Sequence, residues 1–216
     1  MGQTNPVPYR AADFSHLRGL NGLSDQQIEV HLGLYQGYIT NTNKLNEQIA
    51  ELLKAGKGST PEYAELNRAL GFEYNGMILH EYYFGNLSSA GSEKPRSGSP
   101  TLAAIERTFG SWENWLTDFR SVGTMRGVGW VVTYQDPVTE QISNHWITLH
   151  QTGNPAGFKP LLVMDVWEHA FMIDYKPSER AKYIEAFFSN IDWNTVDQRL
   201  TSPSSVRPVG VTRVAV

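Results

Sequence analysis

Apolar residues recur at helical spacing through the first quarter of the chain, at Ile28, Leu32, Tyr35, Ile39, Leu45, Ile49 and Leu52. Such a stripe is one buried face of a long helix. Ser24 opens it, with Gln27 three residues on completing a capping box for the orphan amides of the first turn. Gly56 and Gly58 close it, since glycine accepts the left-handed conformation that ends helices. A second stripe, Tyr63, Leu66, Leu70, Met77, His80 and Phe84, starts near Ser59–Thr60–Pro61. Proline is tolerated there because first-turn amides have no helical partner. The short glycine-bearing connection makes the two helices an antiparallel hairpin.

The pattern then breaks. Residues 88–100 (SSAGSEKPRSGSP) are polar and rich in Ser, Gly and Pro, the composition of a boundary. It divides the chain into an N-terminal helical-hairpin domain, 1–95, and a C-terminal domain, 96–216. The second part begins with two shorter helices, Thr101–Phe109 and Trp112–Met125. Strands are expected at Trp130–Tyr134, Ile142–His150 and Leu161–Val166, with Asp136–Pro137 turning between the first two. Helices around Ser178–Asn190 and Asn194–Arg199 follow. No internal repeat is visible, and the tail from Thr201 to Val216 reads as extended. The fold class is α+β: a helical hairpin, then an α/β part with a small three-stranded antiparallel sheet.

Composition narrows the chemistry. The chain has 216 residues and a formal charge of −4, which disfavours nucleic acid and leaves any anionic substrate dependent on a local positive funnel. It has no cysteine, so thiolate catalysis, disulfides, iron–sulfur clusters and cysteine zinc sites are excluded. No apolar run approaches the ~18 residues of a membrane span. The first residues lack a charged-then-apolar leader pattern, and a cytoplasmic protein is expected. Six Trp are on the high side and suggest rings lining a pocket or interface.

Six histidines are present. A single His on an apolar helical face is usually a satisfied core residue. The set is more telling. His31 and His80 lie in the stripes of the two hairpin helices and can face one interior. Asp165 follows four apolar residues (LLVMD), with His169 four residues further on. A buried carboxylate needs a cation or hydrogen bonds to offset lost hydration. Three imidazoles and one carboxylate suit a borderline metal such as iron, manganese or zinc, with a coordination position left open for reaction.

The runs IEVHLG, LHEYYF, GVGW and above all DVWEHAF closely resemble the iron/manganese superoxide dismutase family, as do MIDYKPSERAKYIEAF and DWNTV. The resemblance extends from about Ser24 to Arg199, with the motifs in family order. It implies that His31, His80, Asp165 and His169 hold one manganese or iron ion per subunit. It implies that superoxide is converted to dioxygen and hydrogen peroxide by cycling between M3+ and M2+. It also implies a homodimer, possibly paired into a tetramer, in which Glu168 hydrogen-bonds His169 of the partner subunit. Trp130 and Trp167 would wall the pocket. Arg180 would help attract the anion, although a surface role serves as well.

Three departures from the family pattern stand out. The active-site Tyr usually lies eight residues after the first ligand, but Tyr38 lies seven after His31. At ~100° per residue, seven steps return to within about 20° of the starting direction and eight miss by about 80°. A helix without the extra-residue bulge therefore still turns Tyr38 to the metal. Second, the family's cross-subunit His–Tyr pair is replaced by Tyr35 and Met172, which removes that bond and makes the substrate gateway less polar; Phe84 stands where Trp is common. Third, the outer-sphere Gln has no source on the second helix, where Gly76 occupies its place. Gln151 is favoured as the partner of metal-bound solvent, with His150 beside it. The Gly76 pattern resembles manganese-type or promiscuous members, and iron stays open. Two other classes are weighed against dismutation: another mononuclear metalloenzyme with the same ligands, and a non-catalytic superoxide dismutase-like binding or structural protein.

Overall fold

In the computed structural model, which describes residues 4–203, Ser24 caps a 30-residue helix α1, Asp25–Lys54. The Ser24 side chain accepts from the Gln27 amide, so one half of the capping box forms. The other half does not. The Ser24 N–H donates to Asp174, and the Gln27 side chain leaves α1 altogether for the segment after His169. Ala55 ends the helix, followed by Gly56 at φ 72°. Helix α2, Pro61–Gly85, is capped by the Thr60 hydroxyl with Pro61 in its first turn. The two pack as the expected hairpin. Its tip is largely exposed, and full burial is reached towards Ile28–Ile39 and Met77–Phe84, where the rest of the chain closes over it.

Helices α3 (Pro100–Phe109) and α4 (Trp112–Gly123) are capped by Ser99 and Ser111, and the left-handed Gly110 makes the sharp turn between them. The sheet follows: β1 Gly129–Gln135, β2 Ile142–Thr148 and β3 Lys159–Asp165, all antiparallel in the order β2-β1-β3. The central strand is buried on nearly every residue. Pairing places Trp130 opposite Asp165. Strand β2 stops two residues before the expected His150, because Leu149 turns the chain with φ 55°. That left-handed conformation costs a branched residue energy and is kept only where the surroundings impose it.

After β3 come two 3-10 turns, Glu168–Ala170 and Pro177–Glu179, then α5 (Arg180–Ser189) and α6 (Trp193–Thr201). An aromatic cluster of Trp112, Trp115, Phe119, Phe188 and Trp193 fills the space between α3–α4 and the last two helices. Arg199 on α6 donates to Asn86 Oδ1, the Leu161 carbonyl and the Tyr82 carbonyl. Asn86 in turn donates to the Val163 carbonyl. This clasp joins the end of α2 to β3 and fixes the helix that carries His80 against the strand that carries Asp165. The extended reading of the tail beyond residue 203 lies outside the described residues.

Candidate metal centre

Four elements deliver four side chains to one point. His31 comes from α1 and His80 from α2, each in the buried stripe of its helix. Asp165 ends β3, and His169 sits in the 3-10 turn just beyond. His31 Nε2 lies 3.0 Å, His169 Nε2 3.1 Å and His80 Nε2 3.7 Å from Asp165 Oδ2. The four candidate ligand atoms are all within 4.8 Å of one another. His31, His80 and Asp165 are fully buried, and His169 keeps 19% side-chain exposure.

The hydrogen-bond pattern leaves this cluster short of a cation. His80 Nδ1 is 2.6 Å from the Gly76 carbonyl, an acceptor, so that nitrogen carries the proton and Nε2 keeps its lone pair. Among the described residues Nε2 is buried with no hydrogen-bond partner, as is His31 Nδ1. Buried polar atoms are rarely orphaned. Asp165 is buried, and among the described residues no Lys or Arg lies against it. Its Oδ1 accepts from the Trp167 amide at 2.7 Å. Burial opposes its charge, but His169 and His31 outweigh burial and hold the carboxyl well below the usual range. Burial pushes His31 and His80 down, so both are neutral, the form that binds metals. A divalent or trivalent ion fits this donor set. Tyr183 Oη donates to the Asp165 backbone carbonyl at 2.7 Å and orients the strand end.

Around the cluster stands an aromatic wall. Trp130 is fully buried, its ring centroid 4.9 Å from His80. Trp167 stacks on His150 at 4.8 Å and on His169 at 5.6 Å. Phe84 lies 4.9 Å from the His31 ring. Tyr38 does face the cluster, its ring 5.1 Å from His80, and α1 is α-helical throughout, with no bulge. Room for that ring comes from Gly76. A Cβ there would stand 2.5 Å from Tyr38 Cδ1, closer than real contacts allow.

Of the two candidates for the outer partner, His150 is turned towards the cluster and Gln151 is not. The turn at Leu149 swings His150 inwards to full burial and leaves Gln151 exposed. Trp130 Nε1–H can only donate, and it reaches His150 Nδ1 at 3.0 Å. His150 is neutral, because burial, aided by His169 and opposed by Asp165, lowers its pKa to about 4. Its single proton therefore sits on Nε2 and is donated to Tyr38 Oη at 2.7 Å. The Tyr38 hydroxyl hydrogen is left for a third partner. Burial, with the charges of Asp165 and Glu73, pushes the Tyr38 pKa up and keeps that hydrogen in place.

Other expected residues take different places. Tyr35 Oη donates to Glu81 at 2.7 Å and accepts from the Ala12 amide, so its hydroxyl is used within the chain. Met172 is 45% exposed. Arg180 spends its donors on the Met125 and Gly127 carbonyls, which makes it a brace for that loop as well as a fixed charge. Glu168 is exposed, beside a hollow of about 500 Å³ that Met125 and Arg180 also line. Gln27 and Tyr183 were not anticipated at the site. The signal for Gln27 was present, a polar side chain within an apolar stripe one turn before His31.

Comparison with known proteins agrees with this geometry. Residues 97–199 match the family model described as iron/manganese superoxide dismutases, C-terminal domain. The chain is 33% identical over 191 residues to a superoxide dismutase [Fe] of Aquifex pyrophilus, covering 85% of this chain and 88% of that one. It is 32% identical over 193 residues to a superoxide dismutase [Mn] of Haloarcula marismortui, covering 88% of each. A superoxide dismutase [Mn/Fe] of Aeropyrum pernix is 32% identical over 171 residues, with 79% of this chain and 78% of that one covered.

Proposed function

The chain belongs to the iron/manganese superoxide dismutase family, and from that premise we propose that it dismutates superoxide at a single ion held by His31, His80, Asp165 and His169. The observation that carries the reading is the convergence of three imidazoles on one buried carboxylate, with a lone pair on His80 Nε2 that no hydrogen bond among the described residues uses. A bound iron or manganese ion supplies the alternation between +3 and +2 states by which one superoxide is oxidised to dioxygen and the next is reduced and protonated to hydrogen peroxide.

The protein's own part is to hold, exclude and protonate. Residues 1–95 bring His31 and His80, and residues 96–216 bring Asp165 and His169. Asp165 contributes one negative charge, which favours the higher oxidation state. Trp130, Trp167 and Phe84 keep the pocket dry, so that polar groups inside act in a low dielectric. Reduction to peroxide consumes two protons. Tyr38 Oη holds one that His150 does not use, and His150 Nε2 stands behind to replace it. Gln151, exposed, has no part in this relay.

The working unit is a homodimer, in which Glu168 pairs with His169 of the partner subunit. In support, among the described residues His169 Nδ1 has no hydrogen bond within its own chain, and Glu168 is exposed beside it. Attraction of superoxide falls to Arg180, whose guanidinium is held in place at the rim of the hollow next to Glu168. Among the described residues no helix is long and apolar enough to cross a membrane, in keeping with a cytoplasmic enzyme.

The deciding experiment loads metal-free protein separately with iron and manganese and assays superoxide removal. Activity with at least one is expected. Zinc in the isolated protein with no dismutation would instead favour a hydrolytic metalloenzyme, and inactivity of both fully loaded forms would leave a binding or structural protein.

A further inference from the structure

The carbonyl of His169 and the amide of Ile173 are four residues apart, the spacing that closes an α-helical turn. They do not meet. The side-chain amide of Gln27 stands between them: its Nε2 donates to the His169 carbonyl at 2.6 Å, and its Oε1 accepts from the Ile173 N–H at 3.0 Å. Gln27 is completely buried, so these bonds satisfy groups that water cannot reach. Around the inserted amide the segment adopts tight turns instead of a helix. The Glu168 carbonyl accepts from both Phe171 and Met172, and the Phe171 carbonyl from both Asp174 and Tyr175.

We propose that Gln27 is a positioning residue for the metal centre: by splinting residues 169–173 open, it holds the His169 imidazole on the cluster. This rests on the reading of His169 as a ligand. Three observations support it. Gln27 lies one helical turn before His31, so one side chain ties the backbone of one ligand-bearing segment to the helix that carries another. His169 is the least enclosed of the four, and among the described residues its ring makes one hydrogen bond in the chain, to Asp165. Apart from the stacked Trp167 ring, its aim is therefore set from its backbone. The far end of the segment has its own anchors, Ser24 N–H on Asp174 and Tyr175 Oη on the Gly22 carbonyl. Loss of Gln27 thus loosens the ligand turn without detaching the segment.

The test uses the full manganese-loaded chain and three readouts: amide exchange at Ile173, the visible absorption of the oxidised manganese form, and the rate of metal loss to a chelator. Gln27→Met keeps the length and removes both bonds. It is expected to raise Ile173 exchange about 100-fold, because a protected amide becomes locally open. It is also expected to shift the absorption band and speed metal loss roughly 10-fold, the scale seen when groups orienting a ligand are removed. Gln27→Glu keeps the acceptor for Ile173 and removes the donor to His169. It should leave Ile173 protected yet still move the band, and it carries the test if the Met variant does not fold. An unchanged band with metal loss within twofold of the parent, in either variant that folds, overturns the proposal. His169→Ala distinguishes the two failures: full metal retention there refutes the ligand reading itself, whatever Gln27 does.

Discussion

One small residue, Gly76, decides how the Tyr38 side of the pocket is built. Tyr38 follows His31 by seven residues, and in a regular helix that brings its ring onto the same face, over Gly76. Gly76→Ala adds a methyl 2.5 Å from a ring carbon that cannot flex away. It should cost about 1–3 kcal/mol by overpacking, despite the ~1 kcal/mol that alanine gains over glycine in a helix. In a Tyr38→Ala background the same change should turn stabilising, and denaturant unfolding of the four proteins reads the reversal of sign. A cost unchanged by the loss of Tyr38 would refute this steric coupling. Tyr38→Phe leaves the ring and removes the hydroxyl. Metal content should be unaltered and turnover reduced, since His150 Nε2–H loses its acceptor and the pocket loses a proton. His150 also makes stability depend on pH. Folded, it takes a proton only near pH 4, and unfolded near 6.5. The unfolded chain therefore binds more protons in that window, and stability should fall by up to about 3 kcal/mol as pH drops through it. His31 and His80 add to the slope in metal-free protein, their pKa values being lowered as well. A shallower slope in His150→Asn than in the parent isolates the contribution of His150, and parallel slopes would refute it.

At the level of elements, the α2–β3–α6 clasp links the helix carrying His80 to the strand carrying Asp165. Arg199 is largely buried, burial lowers its pKa to about 10, and its guanidinium also lies 4.7 Å over the Tyr82 ring. Arg199→Met keeps much of the volume but strands Asn86 Oδ1 and two backbone carbonyls. Destabilisation of about 2–4 kcal/mol is expected, as for buried bonds to a charged donor. Urea unfolding measures it, and loss below 1 kcal/mol would show that water or neighbours replace the guanidinium. These elements were legible before any coordinates, because helices announce themselves by a 3.6-residue apolar period and strands by short apolar runs. The clustering of the four candidate ligands was legible too, since His31 and His80 fall inside stripes and Asp165 ends an apolar strand. What escaped detection depends on long-range geometry. Nothing about a leucine signals the left-handed turn at Leu149, so the strand seemed to run on through His150, and Gln151 was preferred to its buried neighbour. Gln27 looked like half of a local capping box, whereas its side chain's partner lies 142 residues away.

On the scale of the whole molecule, one chain leaves its metal centre incompletely enclosed. Three of the four candidate ligands are sealed, while His169 stays 19% exposed. Glu168, exposed next to it, is followed within five residues by Met172 and Ile173, which are 45% and 43% exposed, and Met125 on the same hollow is 47% exposed. Apolar side chains around a carboxylate make a surface that is costly to leave in water and suited to a second copy bringing its own imidazole. If Glu168 of each subunit closes the centre of the other, association and metal retention are one property. Glu168→Ala should then raise the dimer dissociation constant by about 30-fold or more, the scale for losing one partner of a buried charged hydrogen bond at an interface. The same variant should shed metal faster at low protein concentration than at high. Sedimentation equilibrium and metal analysis across a dilution series measure the two together. A variant that stays dimeric, or one that dissociates while keeping its metal, would show that each centre is complete within its own chain.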